Sequence, residues 1–172
     1  FEVQDAGSQL LAPFLDPESK MRVIDACAGA GGKSLHIAAL MKNSGRILAL
    51  DIHEWKLKEL RTRASRNGVD TIETKLADPK IIKRNEGIAD RVLLDVPCSG
   101  LGVIKRHPGT KWYLKKEELH QLQSIQKQIL DDYSMMTKPG GKLVYATCSI
   151  LPSENEGQVQ DFLYKHLDFT IE

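Results

Sequence analysis

The chain has 172 residues, 41% of them hydrophobic and 27% charged, with a formal net charge of +1. That length fits one domain able to bury about 70% of its unfolded surface, and the balance excludes a disordered chain and a polycation. No apolar run approaches the roughly 18 residues of a membrane span, and three scattered cysteines without a CxxC pair exclude a zinc ribbon and a disulfide framework.

Strands and helices alternate along the chain. Met21–Cys27 is an apolar, β-branched run that ends in a glycine cluster and predicts a buried strand. A helix follows over Ser34–Met41. Arg46–Asp51 is a second strand, and Glu54–Asn67 is a helix stopped by Gly68. Thr71–Lys75 is a third strand, and Asp90–Asp95 is a fourth that ends before Pro97. Lys116–Thr137 predicts a long helix, because Leu119, Leu122, Ile125, Ile129, Tyr133 and Met136 recur every three or four residues. Lys142–Thr147 is a fifth strand, and Pro152–His166 a last helix with proline near its start. The alternation implies a mostly parallel, doubly wound α/β sheet covered on both faces.

In such sheets ligands bind at the carboxyl ends of the strands. The first strand leads into Cys27-Ala28-Gly29-Ala30-Gly31-Gly32-Lys33, the second ends at Asp51, and the third region leads to Asp78. The fourth runs into Asp95-Val96-Pro97-Cys98, and the fifth into Thr147-Cys148-Ser149. Glycines, three acids and all three cysteines thus collect at strand ends. A glycine turn before a helix suits a phosphate, a dinucleotide or S-adenosylmethionine. The phosphate loop GxxxxGK[ST] fails because Cys27 stands at its first glycine; the dinucleotide pattern fails at Ser34. Asp51, twenty residues past Gly31, is placed to accept ribose hydroxyl protons of NAD or S-adenosylmethionine. The plain alternative is a tight turn with a surface aspartate.

The thiols narrow the choice. Hydride transfer needs no cysteine beside Asp95, whereas methyl transfer to C5 of a pyrimidine does. A thiolate added to C6 makes C5 nucleophilic, and a base then removes the C5 proton so that the thiol leaves. Two cysteines on neighbouring strand ends, beside Asp95, supply that set. A single cysteine is more often a small buried hydrophobe, and Cys27 is assigned to packing and backbone contact with the cofactor. The residues alone do not choose between Cys98 and Cys148 as nucleophile.

DACAGAGGKS resembles the DxCAAPGGKT loop of RNA cytosine-5 methyltransferases of the RsmB/Sun/Fmu group, also called NOP2/NSUN-type. DVPCSGLGVIKRHPGTKW is similar to their DAPCSxxGxxRRHPDxKW segment, and GGKLVYATCSILPSENEGQV to GGxLVYxTCSxxxxENExxV. FEVQDAGSQL resembles the strand and helix that precede the core. The resemblance implies a Rossmann-like S-adenosylmethionine-dependent fold. It implies Cys148 as nucleophile, Cys98 in product release, Asp95 on the cytosine edge and Lys33 in the same pocket. It further implies cofactor contacts from Cys27, Ala28, Gly29, Ala30, Gly31, Gly32, Lys33, Asp51, Asp78 and Asp95. The chain departs from the pattern by losing a proline in the loop, by setting Asp78 in LADPK, and by carrying Lys105 where the group has arginine. Against the group, residues 1–172 read as a catalytic domain lacking an N-terminal RNA-binding region and a C-terminal strand hairpin. A start at Phe1 also reads as part of a longer protein.

Lys105–Lys116 (KRHPGTKWYLKK) carries five Lys or Arg, a histidine, Trp112 and Tyr113, and no acid. Basic and aromatic residues interleaved in this way hold phosphates and stack bases. Lys105, Arg106, His107, Lys111 and Trp112 are therefore the candidate RNA contacts; the alternative is a solvated loop with Trp112 packed inward. The basic helix Glu54–Arg66 fits an ordinary solvated face equally well. The leading expectation is methylation of cytosine C5 in RNA. Ribosomal RNA comes first and tRNA second, for a monomer in the cytoplasm without metal. The other readings are an NAD-dependent oxidoreductase and a non-catalytic RNA-binding or ribosome-assembly module.

Overall fold

Val23 and Ile24 of β1 (Arg22–Asp25) and Ile47, Leu48, Ala49 and Leu50 of β2 (Arg46–Asp51) are all buried. An uninterrupted apolar run of this kind is what a strand covered on both faces requires. In the computed structural model, which describes residues 2–172, these strands join β3 (Ile72–Leu76), β4 (Ala89–Asp95) and β5 (Thr137–Ala146) in the order β3-β2-β1-β4-β5. Val23 lies opposite Ile47 and Arg91, and the β1–β2, β1–β4 and β2–β3 ladders are all parallel. The chain steps outward from β1 to β3 and then returns to the other side of β1. The carboxyl ends of β1 and β4 therefore flank the point where strand order reverses.

The described residues group into two compact units, residues 2–95 with Tyr133–Val144, and Val96–Asp132 with Tyr145–Glu172. The first holds most of the sheet together with α1 (Ala6–Leu15), α2 (Gly32–Leu40), α3 (Glu54–Arg66) and α4 (Pro79–Arg84). Its core joins Ala12, Leu15, Val23, Ile37, Ala38, Met41, Ile47, Leu93 and Val144. The second holds α5 (Thr110–Tyr113), most of α6 (Lys116–Ser134) and α7 (Glu156–Lys165).

Four expectations change. No strand forms over residues 2–5, where Glu2 is gripped by α3; Phe1 lies outside the described residues. The long helix ends at Ser134 rather than Thr137, because the Met135 and Met136 carbonyls accept the Gly87 and Ala89 amides in the sheet. The last helix is split. A short 3-10 turn at Pro152–Glu154 precedes α7, and Asn155 between them has φ −119 and ψ −100. The basic loop is partly helical, with a 3-10 turn at Leu101–Val103 and then α5.

Candidate functional site

In the first unit the chain leaves β1 at Asp25 and must reverse into α2. The Ala28 amide donates to the Leu50 carbonyl and the Gly31 amide to Ala28, closing the turn. Gly31 sits at φ +89, and a Cβ there would lie 2.3 Å from Leu60 Cγ, so neither the backbone nor the space admits another residue. Beyond it α2 presents its first amides and a favourable dipole. Asp51 closes the other side, its Oδ2 accepting the Gly29 amide at 3.0 Å and its Oδ1 the His53 amide at 2.8 Å. Lys33 Nζ lies 2.5 Å from Asp95 Oδ2, both side chains largely covered, so the structure brings together the pair expected to share a pocket.

Asp25 is fully buried. Its Oδ2 accepts the Ser34 hydroxyl at 2.6 Å, while Oδ1 has no partner. Burial, only partly offset by the Ser34 hydrogen bond, raises its carboxyl to about 6. Burial, reinforced by the Asp25 charge, also raises the Cys27 thiol to about 12, which leaves it inert. Asp78 is exposed, and its carboxylate accepts the Lys80 amide at 2.6 Å as the cap of α4. Most of the basic face of α3 is paired with carboxylates. Arg61 pairs with Glu54, and Arg63 and Arg66 pair with Glu2. Arg63 also donates to the Ala30 carbonyl at 2.6 Å, fixing the glycine turn from behind.

In the second unit, Cys98 and Cys148 lie 50 residues apart in sequence and their sulfurs are 3.3 Å apart, with no disulfide between them. Cys98 is half-buried and Cys148 exposed. The Cys148 amide donates to Cys98 Sγ at 3.2 Å. The Cys148 thiol, helped by the amides of Gly100 and Cys148, lowers the Cys98 thiol to about 7 despite its burial and the nearby Glu154 charge. A thiol lowered in this way can act as a base near neutral pH. Gly102 lies against this loop; its amide donates to the Cys148 carbonyl at 2.9 Å, and a Cβ there would come within 2.8 Å of that oxygen.

Around the thiols is a network that the sequence reading missed. Glu154 is fully buried and receives Ser99, Ser149 and Gln126, while the Tyr145 hydroxyl donates to the Glu154 carbonyl at 2.8 Å. Asn155 donates to the carbonyls of Ser149 and Leu151, at 3.1 and 3.0 Å. The available signal was the Glu154-Asn155 pair just past Cys148-Ser149, together with a second Cys-Ser dipeptide at Cys98-Ser99. In the basic loop, Lys105, Arg106, His107, Lys111 and Trp112 are all exposed. Trp112 is 78% exposed with Lys111 Nζ 5.1 Å from its ring centre, which rules out the inward-packed alternative. Among the described residues no group of three His, Cys, Asp or Glu side chains could hold a metal ion, and no helix is long and apolar enough to cross a membrane.

A parallel sheet ordered β3-β2-β1-β4-β5, with a glycine turn after β1 and an acid at the end of β2, defines the Rossmann-like methyltransferase class. A solved methyltransferase homolog from Pyrococcus horikoshii shares the fold with a TM-score of 0.83 and 35% identity, over 95% of this chain and 51% of that one. NSun6 from Pyrococcus horikoshii, solved with SFG, matches with a TM-score of 0.85 and 31% identity, over 94% of this chain and 41% of that one. Residues 12–172 match the family described as 16S rRNA methyltransferase RsmB/F, and the chain belongs to that family. The probable ribosomal RNA small subunit methyltransferase B of Bacillus subtilis (strain 168) is 42% identical over 171 residues, 97% of this chain and 38% of that protein. The chain therefore spans well under half the length of the curated relatives it matches.

Proposed function

We propose that this chain is the catalytic portion of an enzyme that methylates C5 of a cytosine in small-subunit ribosomal RNA, through a transient bond from Cys148 to C6. The carrying observation is the 3.3 Å approach of two sulfurs brought from separate strand ends, one of them acidified. The residues of the first unit fit S-adenosylmethionine. Gly29 leaves room for backbone approach, the first amides of α2 lack helical acceptors, Asp51 retains lone pairs for ribose hydroxyls, and Asp25 Oδ1 lacks a partner. When bound, this cofactor supplies a methyl group on a positive sulfur, open to attack by carbon.

Cys98, as thiolate, takes the proton of the Cys148 thiol as the Cys148 sulfur bonds to C6. Asp95, held by Lys33, hydrogen-bonds the cytosine edge and supports the electron pair driven towards C5. After C5 is methylated, Cys98 returns its proton to water, to which it is partly open. It then removes the C5 proton. The C5–H electron pair re-forms the ring double bond, and the C6–S bond breaks to release Cys148. The target base must stand unstacked to reach the sulfur, and exposed Trp112 with Lys105, Arg106, His107 and Lys111 offers stacking and phosphate contacts.

One observation favours a second reading: Cys98 is the acidified sulfur, and it could attack C6 itself. One experiment separates the two. Methyl-labelled S-adenosylmethionine and small-subunit ribosomal RNA are incubated with the protein, with tRNA as a parallel substrate. Cys148→Ala abolishes labelling while calorimetry still detects cofactor binding. Labelling that survives in Cys148→Ala and vanishes in Cys98→Ala assigns the attack to Cys98. Labelling of tRNA alone moves the substrate.

A further inference from the structure

Glu154 has zero exposure, and every donor to its carboxylate is neutral. Removing a carboxylate from water without a cation costs several kcal/mol, so the donors must be well placed. The Ser99 amide and the Gln126 side chain reach Oε1 at 2.8 and 2.9 Å. The Ser99 and Ser149 hydroxyls both reach Oε2, with their own oxygens 3.0 Å apart. Ser99 directly follows Cys98, and Ser149 directly follows Cys148. Gln126, also fully buried, donates in addition to the Pro97 carbonyl at 3.0 Å, on the other side of Cys98. One carboxylate thus ties down the residue after each thiol, and its partner glutamine ties down the residue before one of them.

We propose that Glu154 is the positioning residue of the thiol pair: by gripping Ser99 and Ser149 it sets the spacing of the Cys98 and Cys148 sulfurs and so decides which of them holds the proton. Its meaning for methyl transfer rests on the function proposed above; the spacing of the thiols does not. The groups that face Cys98 are the Cys148 thiol, the Glu154 carboxylate and the Tyr145 phenol. Glu154 acts on Cys98 in two opposed ways. Its charge disfavours the Cys98 thiolate, while its clamp delivers the donors that favour it. Substitutions that separate charge from clamp must therefore move the thiol in opposite directions. Glutamine keeps an oxygen for the Ser99 amide and Gln126, and its NH2 can donate to the two hydroxyls, which rotate to accept. Alanine keeps neither charge nor clamp.

The test is peptide-resolved alkylation of Cys98 by iodoacetamide across pH 5.5–10 on the ligand-free protein, with circular dichroism and urea unfolding as checks of the fold. In the parent, alkylation of Cys98 has its midpoint near 7. In Glu154→Gln the midpoint stays there or falls. In Glu154→Ala it rises towards the ordinary thiol value of about 8.5, and alkylation at pH 7 drops by about tenfold or more. Ser149→Ala, which removes one arm of the clamp, gives an intermediate rise and serves if Glu154→Ala does not fold. Disulfide formation between Cys98 and Cys148 under diamide slows in the same order. An unchanged midpoint in folded Glu154→Ala or Ser149→Ala, or equal rises in Glu154→Gln and Glu154→Ala, overturns the proposal. Methyl transfer absent from the parent would sink the proposed activity and leave these titrations standing.

Discussion

The two units treat the same chemical groups in opposite ways. Asp25 and Glu154 are both carboxylates with no exposed surface, yet the first is raised to about 6 and the second is lowered. Asp25 has one hydroxyl donor and an oxygen without a partner. Burial would raise Glu154 too, but hydrogen bonds from Ser149, Ser99 and Gln126 outweigh it. The cysteines repeat the contrast. Burial lifts Cys27 to about 12, while the Cys148 thiol and two amides bring Cys98 to about 7. Burial alone does not set the acidity of a group; the number of donors aimed at it does. The sheet unit holds its site with backbone, through a glycine turn and strand ends. The thiol unit holds its site with side chains.

The contrast breaks most sharply if the thiol unit proves dispensable for chemistry. Cys98→Ala should slow product release by about 10²–10⁴-fold, the usual worth of a proton-transfer group, and trap a covalent protein–RNA adduct that survives a denaturing gel. Cofactor affinity measured by calorimetry should not change. An adduct that forms only when Cys98 is present reverses the two roles.

The mirror experiment is smaller. Asp51→Asn withdraws one acceptor and the charge from the sheet unit. A hydrogen bond to a charged group contributes about 1.5–3 kcal/mol, so cofactor affinity should fall about ten- to a hundredfold. Iodoacetamide should still find the Cys98 midpoint near 7. A shifted midpoint would mean that the two clusters are not chemically independent.

The smallest effect separates the units by pH. Asp25 binds its proton more tightly folded than unfolded, because its value lies near 6 rather than 3.8. Its contribution to stability is therefore greatest below about pH 4 and is lost as pH rises towards 6. Glu154 runs the other way; its stabilisation is present above the ordinary carboxylate range and is lost on acidification. The difference in urea-unfolding free energy, parent minus Asp25→Asn, should fall by about 1–3 kcal/mol between pH 4 and 7. A parent and variant with parallel curves would place an ordinary carboxylate at Asp25.

By itself the sequence determined β1 to β4 and the second half of β5, the glycine turn after β1, the acids at the ends of β2 and β4, and the arrival of cysteines at strand ends. Apolar period, β-branching and glycine placement act over a few residues, so they can be read in line. It also carried the family resemblance in Cys98 and Cys148. The tertiary structure alone decided which groups would titrate and in which direction. Ser99 and Glu154 are 55 residues apart, and Gln126 and Glu154 are 28 apart. No local pattern announces that their polar atoms will meet in a buried space. The same holds for the capping of α4 by Asp78, and for Trp112, whose exposure depends on what the rest of its loop packs against. Periodicity reports how the backbone runs; proton affinity depends on which donors the folded chain gathers from distant segments.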